Sequence, residues 1–484
     1  MAYTAIHKAP KVIITLVLDS LRRDHVGCYG YGRPTPNIDR LAHEGVLFTN
    51  ATSVSSWSLP SYVSMLTGLE PDAHGVNSDL CVLPQGPETL PEVLSASGFL
   101  TGLFSANPFL GKIYGTSRGF NHILESYVVD ETKYENPPYP SEPAAGAHVV
   151  FERMLGWIRE NRKSQPPLFA MASLMETHTP CWPPAPFRLK YISEVDGFSF
   201  TNSFLAVNEN PFRYITGLNS LSEAEKGGII SLYDGAVSYL DHLLGIFVDN
   251  LASCCNIQDE VIIFILSDHG EYLFEDDIIG HTWNLGAPSI RIPLIIWAPG
   301  RFPAGLIDDR PVQITDIYAT LLGLTGLEKE SYPETSVDLF DPERRAYQIA
   351  SRGVFQGEGL GFRMVLKTIE HHPELRDITF LRTKCRSLLR SLIEDGWQLL
   401  WDSEQNLPGL YCWSNAVPNE NLASRHEDRL KRMLRLMEAH IKRVSEGRGD
   451  LRALYTKEEP GFDFLKRLEE MKVFQQLRHL GYVD

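Results

Sequence analysis

The chain reads as an α/β fold: a large, mostly parallel central sheet flanked by helices, followed by a smaller C-terminal α+β subdomain. Three observations predict it. Near-continuous apolar runs at Val12–Leu18, Leu168–Leu174 and Val261–Leu266 have the composition of strands buried on both faces. Stretches with apolar residues at helical spacing separate them, the alternation expected of a parallel sheet. Asp19, His178 and Asp268-His269 lie just past the ends of these runs, where ligands collect in such sheets.

In chain order, Val12–Leu18 precedes a helix expected over Ser61–Leu66 and another near Glu88–Ser97, closed by Gly98. A strand follows at Phe99–Phe104. Val149, Val150, Phe151, Met154, Leu155 and Ile158 recur at helical spacing, and Pro166-Pro167 punctuates before Leu168–Leu174. Tyr233, Val237, Leu240, Leu244 and Phe247 form a second stripe leading into Val261–Leu266, and Ile292–Trp297 is one more buried-type strand. From about Arg345 the character changes. A Trp397–Trp401 run and an amphipathic helix through Leu430, Met433, Leu434, Met437, Ile441 and Val444 mark a second unit, so the expected domains are 1–345 and 346–484. The Pro-rich stretch Asn136–Pro143 and the segment Glu194–Arg213 read as long, pocket-shaping loops.

A chain of 484 residues, 43% hydrophobic and 22% charged, can bury a sizeable core. Its net charge of −16 argues against a nucleic-acid surface. An anionic substrate must then be drawn by a local positive centre, and a bound divalent cation serves. The seven cysteines are odd in number and scattered, without zinc-site spacing, and Cys254 and Cys255 are too close in sequence to pair without strain. No signal-peptide pattern precedes the first strand, and no apolar run approaches the ~20 residues that span a bilayer. The expectation is a cytoplasmic protein with no membrane span and a small anionic substrate.

Three segments carry the chemistry. Ser58, within Ser55-Ser56-Trp57-Ser58-Leu59-Pro60-Ser61-Tyr62, stands where a loop turns into a helix. Helix N-terminal N–H groups favour anions and a lowered nucleophile pKa, although alone this pattern is a plain helix cap. Asp19 ends an otherwise apolar strand, so its carboxylate needs a partner, either a divalent cation or the start of the next helix. Asp268-His269-Gly270 follows another buried strand and offers one oxygen and one nitrogen ligand to the same cation. The three together describe a metal-assisted ester-cleaving site.

Other segments point the same way. They are Arg22 and Asp24, Gly27-Cys28-Tyr29-Gly30, Thr35-Pro36-Asn37-Ile38-Asp39-Arg40-Leu41-Ala42, Gly45-Val46, and Pro71 to His74-Gly75-Val76. Later come His178-Thr179-Pro180, Tyr233-Asp234 to Asp241, Ser267 to Glu271, Gly280-His281, Arg291-Ile292-Pro293-Leu294, Asn419 to Ala423, and Leu480-Gly481-Tyr482. With these residues, in this order and over nearly the whole chain, the sequence resembles the sulfatase family of the alkaline phosphatase superfamily. The resemblance implies an alkaline-phosphatase-like sandwich, with a short C-terminal antiparallel sheet closing one side of the site. It implies one divalent cation, Mn²⁺, Mg²⁺, Ca²⁺ or Zn²⁺, held by Asp19, Asp268, His269 and Ser58. His178 matches the family's substrate-side histidine, and His281 is expected to protonate the leaving group or to bind metal. Glu176, His178 and His281 were weighed as a second metal site, but their spacing favours one metal. His25 and His74 are expected to be structural, Arg22 and Asp24 to pair and brace the loop after Asp19, and Trp57 and Trp182 to line the pocket.

Two departures shape the functional expectation. Sulfatases carry Cys or Ser in a Cys/Ser-x-Pro-x-Arg motif that is converted to formylglycine, whereas the Arg position here is Tyr62. Formylglycine is therefore not expected, and Ser58 is expected to attack as an unmodified alkoxide. Arylsulfatases also carry Lys and His after the Gly98–Phe104 region, where this chain has Ser105-Ala106-Asn107-Pro108. Asn107 is the expected replacement, donating to a substrate oxygen. A serine alkoxide suits phosphorus better than sulfur, because a phosphoseryl intermediate can be hydrolysed. The expected activity is hydrolysis of a phosphate mono- or diester or phosphonate ester through Ser58. The alternatives are a sulfatase with modified Ser58, a phospho- or sulfo-group transferase using the same intermediate, and a non-catalytic relative that keeps the fold.

Overall fold

The computed structural model describes residues 10–78, 81–126, 146–163, 166–327, 332–342, 345–353, 387–405, 408–413 and 420–446. Asn136–Pro143 and Leu480-Gly481-Tyr482 lie outside the described residues.

Eight strands form the central sheet: β1 (Val12–Leu18), β2 (Val46–Phe48), β3 (Leu100–Ser105), β4 (His122–Glu125), β5 (Leu168–Leu174), β6 (Val261–Leu266), β7 (Leu294–Trp297) and β8 (Leu306–Asp308). Their order is β8-β2-β7-β6-β1-β5-β3-β4. Six neighbouring residue pairs join β1 to β6 and seven join it to β5, all parallel. Strand β7, within the expected Ile292–Trp297, runs antiparallel to both β6 and β2, so the sheet is mixed but mostly parallel.

Among the described residues, the helices that matter here are α1 (Pro36–Glu44), α2 (Ser58–Thr67), α3 (Leu90–Ala96), α4 (Ala147–Asn161), α5 (Ala185–Ile192), α6 (Asn202–Glu209), α7 (Phe212–Ile215), α8 (Glu223–Ala252), α9 (Asp316–Thr325) and α10 (Glu427–Glu446). The alternation along β1 explains why the run is apolar at every position but Thr15. Val12, Ile14, Leu16 and Leu18 enter one core with Leu41, Met154 and Leu240 of α1, α4 and α8. Ile13 and Val17 enter the opposite core with Val63, Leu94 and Leu321 of α2, α3 and α9. Each such buried aliphatic side chain contributes about 1.5–3 kcal/mol. Among the described residues, no helix is long and apolar enough to cross a membrane.

Two expectations need correction. Helix α2 begins at Ser58, three residues before the expected Ser61, with Trp57 as an extended N-cap residue. Glu194–Arg213 is not simply a loop, since it holds α6 and the start of α7. The Thr201 hydroxyl caps α6 by accepting from the N–H of Phe204, and Phe204 and Val207 bury one face of it. Polar residues on the other face hid that short period.

At the C-terminal end, β9 (Gln348–Arg352), β10 (Leu389–Glu394), β11 (Trp397–Asp402) and β12 (Gly409–Cys412) form an antiparallel sheet. Met433 and Met437 of α10 pack on its Ile349, Leu392 and Leu399. The sheet is tied to the catalytic part by Gln398, whose amide donates to Leu285 O at 2.7 Å, and by Arg390, which pairs with Asp72 at 3.0 Å.

Candidate active site

The chain passes β1 and turns sharply at Asp19. Asp19 N–H still bonds Leu174 O of β5 at 2.9 Å, and Ser20 then adopts a left-handed φ of 59°. A non-glycine residue there is costly and persists only where its neighbours enforce it. The enforcement is visible. Tyr233 of α8 donates its hydroxyl to Ser20 O and accepts from Arg22 N–H, both at 2.8 Å. Thr177 donates to Asp19 O at 2.6 Å, and Leu21 N–H donates to Ser267 Oγ at 3.0 Å. Arg22 pairs with Asp24 at 2.7 Å, as expected, and also with Glu275 at 2.6 Å.

Helix α2 brings Ser58 to this turn. Its hydroxyl makes no helix cap. It is buried, 3.1 Å from His269 Nε2 and 3.4 Å from Asp19 Oδ2, and accepts from Asn107 Nδ2 at 3.2 Å. Four residues on, Tyr62 lies on the same helix face and donates its hydroxyl to Asp19 Oδ2 at 3.1 Å.

Past β6, Asp268 and His269 complete the cluster. Glycine is required next, because a Cβ on Gly270 would lie 2.1 Å from Pro288 O. His269 Nδ1 is 2.8 Å from Gly270 O, which can only accept, so Nδ1 donates there and Nε2 is the nitrogen turned toward the cluster. Ligand atoms of Asp19, Asp268 and His269 all lie within 4.8 Å of one another. Among the described residues, Asp268 Oδ2 is buried with no hydrogen-bond partner, and His269 Nε2 faces it at 3.5 Å. A buried oxygen without a partner beside an imidazole nitrogen is a ligand pair that a shared cation would satisfy. Burial, then the charge of Asp19, pushes the Asp268 carboxyl well up. Burial also pushes Asp19 up, but His178, His269, Asn107 and His281 outweigh it and hold Asp19 below the ordinary range. The donor set therefore fits one divalent cation, with Ser58 Oγ beside it.

His178 and His281 stand next to this cluster. The His281 ring lies 4.5 Å from that of His269 and 4.9 Å from that of His178. His178 Nδ1 is 2.6 Å from Thr179 O, which fixes the ring beside the cluster. His281 Nδ1 lies 3.3 Å from both Glu271 oxygens. Burial pushes His281 well down and Glu271 up to about 7, so this pair tends to neutrality. Glu176, considered above for a second metal, accepts from Ala147 N–H at 2.8 Å. Among the described residues only Asp19, Asp268 and His269 form a metal-ligating group.

Asn107 arrives from the end of β3, buried, and its Nδ2 donates to Asp19 Oδ2 at 2.6 Å as well as to Ser58. Both amide hydrogens are thus directed at the nucleophile and its carboxylate, not at a free substrate position. Trp57 is buried against Phe109, whereas Trp182 is half-buried near Phe200. His25 bonds Asp234 at 2.7 Å and His74 bonds Ser64 at 3.0 Å, both structural.

A family model described as Sulfatase matches residues 11–327. The chain belongs to the sulfatase family. It is 24% identical over 400 residues to N-acetylgalactosamine-6-sulfatase from Canis lupus familiaris, which covers 72% of this chain and 69% of that protein. It superposes on a phosphonate monoester hydrolase from Silicibacter pomeroyi with a TM-score of 0.68 at 18% identity, covering 90% of this chain and 96% of the other. For a 2-O GAG sulfatase the TM-score is 0.66 at 18% identity, covering 94% and 96%. This sulfatase-family hydrolase thus has the expected α/β architecture with its small C-terminal antiparallel sheet. Tyr233 and Ser267 fall in segments singled out above, whereas Ser173 was not legible as a site support, because a lone hydroxyl in an apolar strand carries no periodic signal.

Proposed function

We propose that this sulfatase-family protein is a metal-dependent hydrolase that cleaves a phosphate or phosphonate ester by attack of the unmodified Ser58 hydroxyl. One observation carries the reading. Ser58 Oγ, Asp19, Asp268 and His269 converge around an unsatisfied carboxylate oxygen, and Tyr62 occupies the place of the arginine in the formylglycine motif. When bound, a divalent cation lowers the hydroxyl's pKa and offsets charge that develops on the ester oxygens.

Asp19, Asp268 and His269 would hold that cation. Asn107 orients Ser58 Oγ for in-line attack, which forms the Ser58 Oγ–P bond as the bond to the leaving oxygen breaks. The Ser58 hydroxyl proton is released to solvent as this bond forms, and His178 supplies the proton that the leaving oxygen takes up, beside a His281 that burial holds toward neutrality. Water then attacks the phosphoseryl group, restores the Ser58 hydroxyl and releases the acid. The substrate is a small anionic ester, attracted by the local site despite a net charge of −16. A cytoplasmic location belongs to the same proposal, supported by free thiols at Cys28, Cys181, Cys254, Cys255 and Cys412. A sulfate-ester reading is favoured by the N-acetylgalactosamine-6-sulfatase relative, and it requires a formylglycine at position 58.

Acid quenching during turnover of an aryl phosphate diester, followed by peptide mass spectrometry, tests the nucleophile. A phosphoryl group on the Ser58 peptide is expected. A formylglycine at position 58 would overturn the reading.

A further inference from the structure

Tyr62 is fully buried in α2 and reaches the site from below. A phenol has one proton, and a carboxylate only accepts, so the contact to Asp19 Oδ2 at 3.1 Å makes Tyr62 the donor. The Ser173 hydroxyl, 2.8 Å away, must then donate to the Tyr62 oxygen. Ser173 pairs with Val17 of β1 in the sheet register, so the relay starts on β5, crosses α2 and ends on the residue after β1. Each link polarises the next toward the carboxylate. Ser58 and Tyr62 are four apart on one helix, so the same helical turn sets both against Asp19.

With Tyr62 and Asn107 both on Oδ2, Asp19 Oδ1 is left with Ser20 Oγ at 3.1 Å and faces His269 Nε2 at 3.8 Å. The donors therefore fix which carboxylate oxygen turns toward the cation position. Among the described residues, the side chains that donate to Asp19 are neutral: Ser20, Ser58, Tyr62 and Asn107. A neutral donor orients the carboxylate without competing with the cation by charge, as a guanidinium would.

We propose that Tyr62 is a positioning residue, held by Ser173, that locks Asp19 and the nucleophile helix into cation-binding geometry; this rests on the cation-site reading above. Mn²⁺ binding to the metal-stripped full chain, followed by electron paramagnetic resonance or calorimetry, tests it without turnover. Tyr62→Phe keeps the ring and is expected to weaken Mn²⁺ binding about 10- to 100-fold, the range for partners that orient metal ligands. Ser173→Ala should act in the same direction and more weakly, and it decides the matter if Tyr62→Phe does not fold. In turnover, Tyr62→Phe should lower kcat at saturating Mn²⁺ with little change in KM. Wild-type Mn²⁺ affinity in both variants would overturn the role of Tyr62 while leaving the cation site intact. Absence of Mn²⁺ binding in the wild-type protein would overturn the cation site and this proposal together.

Discussion

At the scale of single residues, the site is a problem of unmatched acceptors. Asp268 Oδ2 and His269 Nε2 face each other at 3.5 Å, and Ser58 Oγ stands 3.1 Å from His269 Nε2. Ser58→Ala should reduce kcat by at least ~10³-fold and weaken Mn²⁺ binding, since it removes one of the expected ligands, as measured by steady-state kinetics and calorimetry. Asp24 gives a pH prediction outside the site. Burial pushes its carboxyl up, but Arg22 outweighs burial and draws it down to about 2. A depressed carboxyl stabilises the fold above its unfolded pKa, and that contribution is lost as pH falls through the folded value. The stability difference between wild type and Asp24→Asn in urea melts should be constant above about pH 5 and shrink below about pH 4. The clustering of Asp19, Asp268 and His269 was legible because each stands just past the end of a largely apolar strand. The second role of Asn107 was not, since Asn before Pro also marks an ordinary turn.

At the scale of elements, strand ends and one helix start do the positioning. Strands β1, β5 and β6 were legible with their bounds, because burial on both faces makes them apolar save for Thr15 and Ser173. The start of α2 was not, because Trp57-Ser58-Leu59-Pro60 reads equally as loop until the helix packs. Helix α6 was missed for a similar reason: its apolar side spans little more than Phe204 and Val207. The turn after β6 carries a sharp steric prediction. With Pro288 O only 2.1 Å from an added Cβ, Gly270→Ala must displace backbone and should cost about 2 kcal/mol or more in chemical denaturation. It should also move His269 and so weaken Mn²⁺ binding.

At the scale of the whole molecule, a chain of net charge −16 gathers two further carboxylates into its buried centre. A cation bound there, as proposed, would stabilise the native state over the unfolded chain. At 100 times Kd, Mn²⁺ should stabilise the native state by about 2.7 kcal/mol. Thermal melts should show that gain in wild type and not in Asp268→Asn. The C-terminal sheet adds to the same body, with His440 of α10 bonded to Glu70 at 2.5 Å. The measurement that bears most directly on the central claim compares matched aryl phosphate and aryl sulfate esters with added Mn²⁺, in wild type and Ser58→Ala. Phosphate-ester turnover that needs the metal and vanishes in Ser58→Ala is the predicted result. Sulfate-ester turnover with no phosphate-ester activity, or phosphate-ester activity that survives Ser58→Ala, would contradict it.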